Sequence, residues 1–200
     1  MKPVMIVSGR AAPLDRANVD TDQIIPKQFL TRIERTGFGE FLFYDWARDE
    51  EGEPDPAFVL NRPEYADAVI LVAGPNFGSG SSREHAPWSL QEWGFEAIIA
   101  PSFADIFHAN CLNIGLLPVV LAGDEVSELM RVANRGDNIV SVDLESQTVT
   151  ADGFSAWFDI DPFAKHSLLS GLDRIGMTLT HGRDIDTYES ERQTTAPPIT

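Results

Sequence analysis

The chain has 200 residues, 43% of them hydrophobic, and carries a formal net charge of −16 at pH 7. This content suffices for one sizeable core and leaves little for a second domain, while the acidic charge disfavours a nucleic-acid partner. No apolar run reaches the ~18–20 residues of a membrane span and the first residues lack the long apolar stretch of a signal peptide, so we expect a cytoplasmic protein.

The amino-terminal third is predicted to contain one early strand followed by loops. The strand covers residues 4–8, and a polar turn at 18–26 then runs into apolar residues. Residues 27–47 are rich in aromatic side chains but are interrupted by glycines. The acidic run at about 48–58 is typical of a solvated loop, and Pro63 predicts the start of a short helix.

From residue 68 onward the pattern alternates between strand and helix. Continuous apolar runs predict three buried strands, at 68–73, 97–100 and 116–121. Helices are predicted over 83–93, over 103–112 with Ser102 as its cap, and between Asp124 and Gly136. Right-handed crossovers would bring the loop after the first of these strands to the carboxyl edge of the sheet, where α/β proteins bind ligands.

The carboxyl-terminal part is predicted to hold short strands and one more helix. The strands are expected at 139–143, 148–150 and 154–158, and the helix between Asp161 and Gly171. Residues 1–185 would then form one α/β domain with a mixed sheet, flanking helices and extra strands. Residues 186–200 are rich in Thr, Pro and Glu and are predicted to be a disordered tail.

Cysteine and histidine are too few and too scattered to predict a metal site. Cys111 is the single cysteine, and the four histidines form no ligand pair. An iron–sulfur cluster is held mostly by several thiolates, and a structural zinc site combines Cys and His in close spacing. We therefore expect no metal or cluster in this chain taken alone, and we interpret Cys111 as a small buried side chain.

One loop, residues 74–85, concentrates the features of a binding site. Gly78 and Gly80 allow backbone conformations closed to other residues and a close approach by a ligand. The helix that follows presents unpaired N–H groups and the positive end of its dipole. Arg83 adds a planar charged fork that matches a carboxylate. Since the P-loop and dinucleotide-binding patterns are absent here, the sequence predicts another kind of anion site.

Two other interpretations of this loop are open. Ser82 could be only a helix cap and Gly80 only a turn residue, but capping explains neither Arg83 nor two consecutive serines after two glycines. A hydrolase nucleophile would need the Gly-x-Ser-x-Gly elbow, whose last glycine is missing, and a His base with an orienting acid. We therefore favour a built anion site over a cap or a hydrolase.

Residues 78–86, Gly-Ser-Gly-Ser-Ser-Arg-Glu-His-Ala, resemble the signature loop of the swivelling domain of the aconitase superfamily. Four other segments resemble further motifs of the same family, at residues 20–26, 101–107, 115–119 and 171–176. Residues 35–39 and 43–46 are similar to the bacterial isopropylmalate dehydratase small subunits in particular. The resemblance covers roughly residues 1–185.

The resemblance implies a swivelling β/β/α fold of the aconitase type and a place in leucine biosynthesis. It implies a hydro-lyase that interconverts 2-isopropylmalate and 3-isopropylmalate by dehydration and rehydration. It further implies an iron–sulfur cluster on a separate large subunit, where the cluster acts as a Lewis acid. This chain would then be active only in a heterodimer or higher assembly with that subunit.

The resemblance also implies roles for residues of the loop. Ser81 would take the carbon-bound proton, although a serine hydroxyl must be strongly polarised to act as a base. Ser82 and Arg83 would hold a substrate carboxylate, with Gly80 in the same binding loop. Asp22 would help to organise the site, or would make only an Asx bond in its turn.

A second substrate arginine is implied at Arg35 or Arg32, and spacing does not choose between them. Glu84 and His85 are expected to secure the loop. The apolar residues Phe38, Phe41, Leu42 and Phe43 would favour an isopropyl group, or would belong to the core. Two alternatives remain, namely a related hydro-lyase for citraconate/methylmalate or homoaconitate, and a non-catalytic module that binds small carboxylates.

Overall fold

Two four-stranded sheets make up the framework of the molecule, which the computed structural model describes over residues 1–30 and 36–192. The parallel sheet contains, in spatial order, β2 (Ala11–Leu14), β3 (Ile70–Ala73), β4 (Ala97–Ala100) and β5 (Leu117–Val120). The antiparallel sheet contains, in spatial order, β1 (Ile6–Gly9), β6 (Val140–Asp143), β7 (Thr148–Ala151) and β8 (Phe154–Trp157). The predicted α/β class is confirmed, with the parallel and antiparallel strands in two sheets instead of one mixed sheet.

Short and medium helices connect these strands in the described part of the chain. They are α1 (Thr21–Ile24), α2 (Tyr44–Ala47), α3 (His85–Trp93), α4 (Asp105–Ile114), α5 (Gly123–Ala133), α6 (Pro162–Ser170), α7 (Arg174–Thr180) and α8 (Gly182–Arg192). Single turns of 3-10 helix lie at Lys27–Phe29, Gly39–Phe41, Val59–Asn61 and Pro63–Tyr65. Over residues 1–30 and 36–192, no helix has the length and apolar character needed to cross a membrane.

Both faces of the parallel sheet are covered, which explains why β3 and β4 form unbroken apolar runs in the sequence. On one face Leu71 and Ile98 pack in a cluster with α3 and α4. On the other face Ile70 and Ile99 pack with α5 and with the inner side of the antiparallel sheet. Successive side chains of a strand point to opposite faces, so each strand contributes to both clusters.

The outer strands of the parallel sheet each contain a proline, Pro13 in β2 and Pro118 in β5. Proline has no N–H and is therefore tolerated in edge strands. Beside Pro13, the amide of Ala11 donates to Oδ1 of the buried Asn138 at 3.2 Å. Because alanine and proline have low strand propensity, the sequence pattern did not predict β2.

The spatial order of β2 to β5 follows their order in the chain, so the parallel crossovers succeed one another across the sheet. A sheet of this order has no topological switch point at which a crevice would form. Instead, the loops after β2, β3 and β4 open side by side at the carboxyl edge. The isolated bridges Asp20–Ser79 and Phe77–Phe103 extend this parallel pairing beyond the strands.

The start of α4 differs from the prediction. The helix begins at Asp105 with Ala104 in the N-cap position, so Ser102 is not its cap. Ser102 Oγ instead accepts a hydrogen bond from the amide of Asn76 at 2.8 Å, because Ser102 lies beside the loop that follows β3. At α6 the prediction is confirmed, since the Asp161 side chain accepts from the first turn of the helix.

The predicted boundary between residues 185 and 186 falls inside α8. Residues 186–192, the first part of the predicted tail, belong to this helix. This helix buries no residue, so its order depends on local propensity and on pairs such as Arg192 Nη1 donating to Tyr188 Oη at 2.8 Å. Residues 193–200 of the predicted tail lie outside the described residues.

Candidate active site

The serine loop, residues 74–84, follows β3 and lies at the carboxyl edge of the parallel sheet, as the sequence predicted. Its first half is bonded to both neighbouring loops. The amide of Gly78 donates to the carbonyl of Val19 at 2.7 Å, in the loop after β2. The amide of Phe77 donates to the carbonyl of Ser102 at 3.0 Å, in the loop after β4. The loop is therefore continuous with the sheet hydrogen bonding on both sides.

Two glycines of the serine loop have backbone conformations that L-residues rarely adopt. Gly78 has φ +77°, and a Cβ there would overlap the ring of Phe107. Gly80 has φ +92°, and a Cβ there would lie 3.5 Å from Asp20 Cβ and from Thr21 Oγ1. Gly78 is thus required by both conformation and packing, while Gly80 is required by conformation and lies in close contact with α1.

Helix α1 lies against the serine loop and is fixed by its own capping box. The Asp20 side chain accepts from the Gln23 amide at 2.8 Å, and the Gln23 side chain accepts from the Asp20 amide at 2.9 Å. The first helical residue, Thr21, then makes two hydrogen bonds to the loop. Its amide donates to the carbonyl of Ser79 at 2.8 Å, and its Oγ1 accepts from the amide of Ser81 at 3.1 Å.

Asp22 joins this helix to Arg83. Arg83 Nη1 donates a hydrogen bond to Asp22 Oδ1, and Lys27 Nζ lies 3.5 Å from Asp22 Oδ2. The hydrogen bond from Arg83 and the positive charges of Arg83 and Lys27 lower the pKa of the Asp22 carboxyl. The sequence left two roles open for Asp22, an Asx bond in its turn or a part in organising the site. The side-chain bond within the turn is made by Asp20, and the Asp22 carboxylate binds Arg83.

The Arg83 side chain is 18% exposed, so it is partly shielded from water. Nη1 is bonded to Asp22, and no other nitrogen of the guanidinium donates to a described residue. The remaining donors are therefore available to a second carboxylate. A guanidinium held on one side by protein and open on the other can bind a ligand carboxylate without reorientation.

The two serines lie at the exposed end of the loop. Neither Ser81 Oγ nor Ser82 Oγ has a hydrogen-bond partner among residues 1–30 and 36–192. The amides of Ser82, Arg83 and Glu84 likewise donate to no described residue. Since Glu84 occupies the N-cap position of α3, Ser82 is not the helix cap that was one interpretation of the sequence. The end of the loop therefore presents two hydroxyls and several free donors to solvent.

His85 contacts two aromatic rings and no carboxylate of the described chain. Its ring centroid lies 5.1 Å from that of Phe38 and 5.0 Å from that of Trp88. The hydrolase interpretation required a histidine oriented by an acid, and this arrangement does not provide one. His85 instead packs the start of α3 against the aromatic segment, which secures the loop.

The aromatic segment around Phe38 belongs to the core. All four apolar residues considered for substrate contact are buried, namely Phe38, Phe41, Leu42 and Phe43. Glu92 Oε2 on α3 accepts from the amides of Phe38 and Gly39, at 2.5 and 3.2 Å. The core role is thus the one that the structure supports for these side chains. Arg32 and Arg35 lie outside the described residues.

The described residues contain no group of three or more His, Cys, Asp or Glu side chains that could hold a metal ion. Cys111 lies on the buried side of α4, and burial raises the pKa of its thiol well above the ordinary value. A cluster ligand must be an accessible thiolate. The donor set of this part of the chain therefore does not fit an iron–sulfur cluster.

Gly80, Ser81, Ser82 and Arg83 lie together on one loop, as their adjacency in the chain requires. Thr21 and Lys27 were not predicted from the sequence. Both lie within or next to the motif at residues 20–26. The contact that links Thr21 to the site is a hydrogen bond to a residue 60 positions away in the sequence. No local pattern reports such a contact.

Comparisons with known proteins point to one family. The family model "Aconitase C-terminal domain" matches residues 1–124, and the model "LeuD_N" matches residues 127–162. The 3-isopropylmalate dehydratase small subunit of Geobacillus kaustophilus is 59% identical over 190 residues, covering 94% of this chain and 96% of the relative. The protein of the same name from Caulobacter vibrioides is 54% identical over 198 residues, covering 98% of each.

The crystal structure of a 3-isopropylmalate dehydratase from Methanocaldococcus jannaschii shares the fold. It aligns with a TM-score of 0.65 at 27% identity, covering 92% of this chain and 99% of that one. Sequence likeness over nearly the full length and likeness of fold therefore agree. The chain belongs to the family of 3-isopropylmalate dehydratase small subunits, within the aconitase superfamily.

Proposed function

We propose that this chain is the small subunit of a 3-isopropylmalate dehydratase, a hydro-lyase that interconverts 2-isopropylmalate and 3-isopropylmalate in the cytoplasm during leucine biosynthesis. The observation that carries the proposal is the exposed Ser81 beside an arginine that Asp22 holds on one side only. This pairs a candidate proton acceptor with a carboxylate-binding group. The family relationship supplies the substrate class.

The reaction needs a partner, since this part of the chain has no cluster ligands. We assign the iron–sulfur cluster, which supplies Lewis-acid chemistry, to a large subunit. The serine loop would face that subunit, because residues 80–82 of the loop are exposed at the carboxyl edge. The chain alone is then inactive, and activity appears when the heterodimer forms.

Ser81 is assigned as the residue that takes the proton from the substrate carbon during dehydration and returns it during rehydration. The alkoxide form of a serine is a strong base that needs electrostatic stabilisation. The free amides of Ser82, Arg83 and Glu84, together with the charge of Arg83, have the required sign. A donor that is preorganised towards a developing oxyanion is worth on the order of 3 kcal/mol.

Arg83 is assigned to a carboxylate of the substrate through the donors that Asp22 leaves free. Ser82 would donate its hydroxyl to the same carboxylate, and Gly80 would allow close approach because it has no side chain. Arg35 is proposed as a second substrate arginine, with Arg32 as the alternative. The chain as a whole carries a net charge of −16, so its surface would not attract an anionic substrate. These arginines would provide the local positive charge that the substrate carboxylates need.

The test is anaerobic co-expression with the large subunit, followed by measurement of isopropylmaleate absorbance after addition of 3-isopropylmalate. We expect turnover in the mixture and none from the chain alone. Citraconate and homoaconitate assayed on the same complex control for a related hydro-lyase. An intact cluster with no turnover of 3-isopropylmalate would overturn the proposed substrate, and turnover by the chain alone would overturn the assigned partner.

A further inference from the structure

Thr21 is a buried polar residue that contacts the serine loop on both sides of Gly80. Its side chain and backbone together are 1% exposed. Its amide donates to the Ser79 carbonyl at 2.8 Å, and its Oγ1 accepts from the Ser81 amide at 3.1 Å. The residue therefore fixes the backbone immediately before and immediately after the left-handed glycine.

The hydrogen bond from the Ser81 amide is the last one that a backbone amide of the loop makes to another described segment before α3 begins, and beyond it the Arg83 side chain binds Asp22. The next three amides, of residues 82–84, have no described partner, and neither does the Ser81 hydroxyl. Ser81 Oγ is therefore positioned through its own backbone. That backbone is held by the Thr21 hydroxyl.

We propose that Thr21 is a positioning residue for Ser81, acting through its hydroxyl and touching no substrate. The inference rests on the proposed function, in which Ser81 takes the carbon-bound proton. Displacing a reacting group by about 1 Å can cost on the order of 100-fold in rate. Arg83 is held separately by Asp22, so the loss of the Thr21 hydroxyl would affect the proton acceptor more than carboxylate binding.

The first experiment compares Thr21→Val, which keeps the shape and removes the acceptor, with Thr21→Ser, which keeps the acceptor. In the reconstituted complex we expect Thr21→Val to lower kcat about tenfold or more, with KM for 3-isopropylmalate changed by less than about twofold. Thr21→Ser should retain kcat close to wild type. Thr150→Val, the same change at an exposed position of β7, is the matched control and should have no effect.

The second experiment measures amide hydrogen exchange of Ser81 by NMR in the isolated chain, which needs neither cluster nor substrate. Thr21→Val should speed exchange at Ser81 several-fold, and Thr21→Ser should not. If Thr21→Val does not fold, Thr21→Ala serves in its place because it removes the same acceptor.

The possible outcomes separate the two proposals. A wild-type complex with an intact cluster but no turnover of 3-isopropylmalate counts against the proposed function, while the Ser81 exchange rate still tests the hydrogen bond. An active complex in which Thr21→Val keeps the wild-type kcat would overturn the positioning role. Unchanged Ser81 exchange in that variant would overturn it as well.

Discussion

The root and the tip of the serine loop differ in how they are held. At the root, residues 74–79, Phe77 is fully buried and backbone hydrogen bonds run to the loops after β2 and β4. At the tip, residues 80–84, both serines are exposed, and most amides and hydroxyls have no partner in the described chain. The root therefore contributes more to the stability of the fold than the tip does.

This comparison predicts that changes at the tip alter activity and changes at the root alter stability. Ser81→Ala should give the largest effect. Loss of the proposed proton acceptor is expected to lower kcat by roughly 10²–10⁴-fold, while the melting temperature stays unchanged because the hydroxyl has no partner among the described residues. The measurements are proton exchange at the substrate carbon and thermal melting. Ser155→Ala, at an exposed position in β8, is the control; retained exchange in Ser81→Ala would contradict the assigned role.

Arg83→Lys should come next. A lysine ammonium cannot bind Asp22 and a second carboxylate through one planar fork, so kcat/KM is expected to fall on the order of 100-fold. Turnover in the reconstituted complex checks this, beside Arg131→Lys on the exposed face of α5 as a matched change. Wild-type turnover in Arg83→Lys would show that a single point charge is sufficient there.

Gly78→Ala tests the root. The added Cβ combines a left-handed backbone with overlap of the Phe107 ring, so we expect a loss of about 2–4 kcal/mol in the free energy of unfolding. Gly52→Ala is the matched control, because Gly52 has φ +87° and no atom within 4 Å of a Cβ. That variant should lose only the strain of the backbone, about 1 kcal/mol. Equal losses in the two variants would mean that the Phe107 contact contributes nothing.

The smallest effect is expected from the Asp22 carboxyl. Its pKa in the folded chain lies below the ordinary 3.8, so ionised Asp22 stabilises the fold above that pH. The stabilisation is lost as the pH falls from 3.8 through the lowered pKa. Asp22→Asn should therefore melt slightly below wild type at pH 7, and the difference should vanish in acid. Because the Asp22 side chain is 42% exposed, the two proteins should differ by less than about 1 kcal/mol in the free energy of unfolding at pH 7. A difference that does not depend on pH would exclude the ion pair as its cause.

The difference between root and tip also explains which parts of the site the sequence could predict. The loop residues are neighbours in the chain, and their residue types alone indicate the backbone conformation or charge that each provides, as for Gly78, Gly80, Ser81 and Arg83. Asp22 was recognised only through its motif, since its bond to Arg83 spans 61 residues. Thr21 was missed because a buried threonine has no distinctive local pattern.

The fold shows the same limit. Apolar runs predicted β3, β4 and β5, which are buried on both faces or nearly so. The pairing of β1 with β6, which aligns Ile6 with Asp143, creates the second sheet and depends on contacts across most of the chain. The helix cap predicted at Ser102 failed for a related reason, because its hydroxyl is engaged by Asn76 from another loop.

The prolines at the two outer strands of the parallel sheet bear on how this subunit can assemble. An incoming strand would find no amide donor at Pro13 or Pro118, and the donor of Ala11 is already satisfied by Asn138. Neither border of the sheet therefore offers a complete template for strand addition. The two borders of the parallel sheet are thereby protected against aggregation by strand addition.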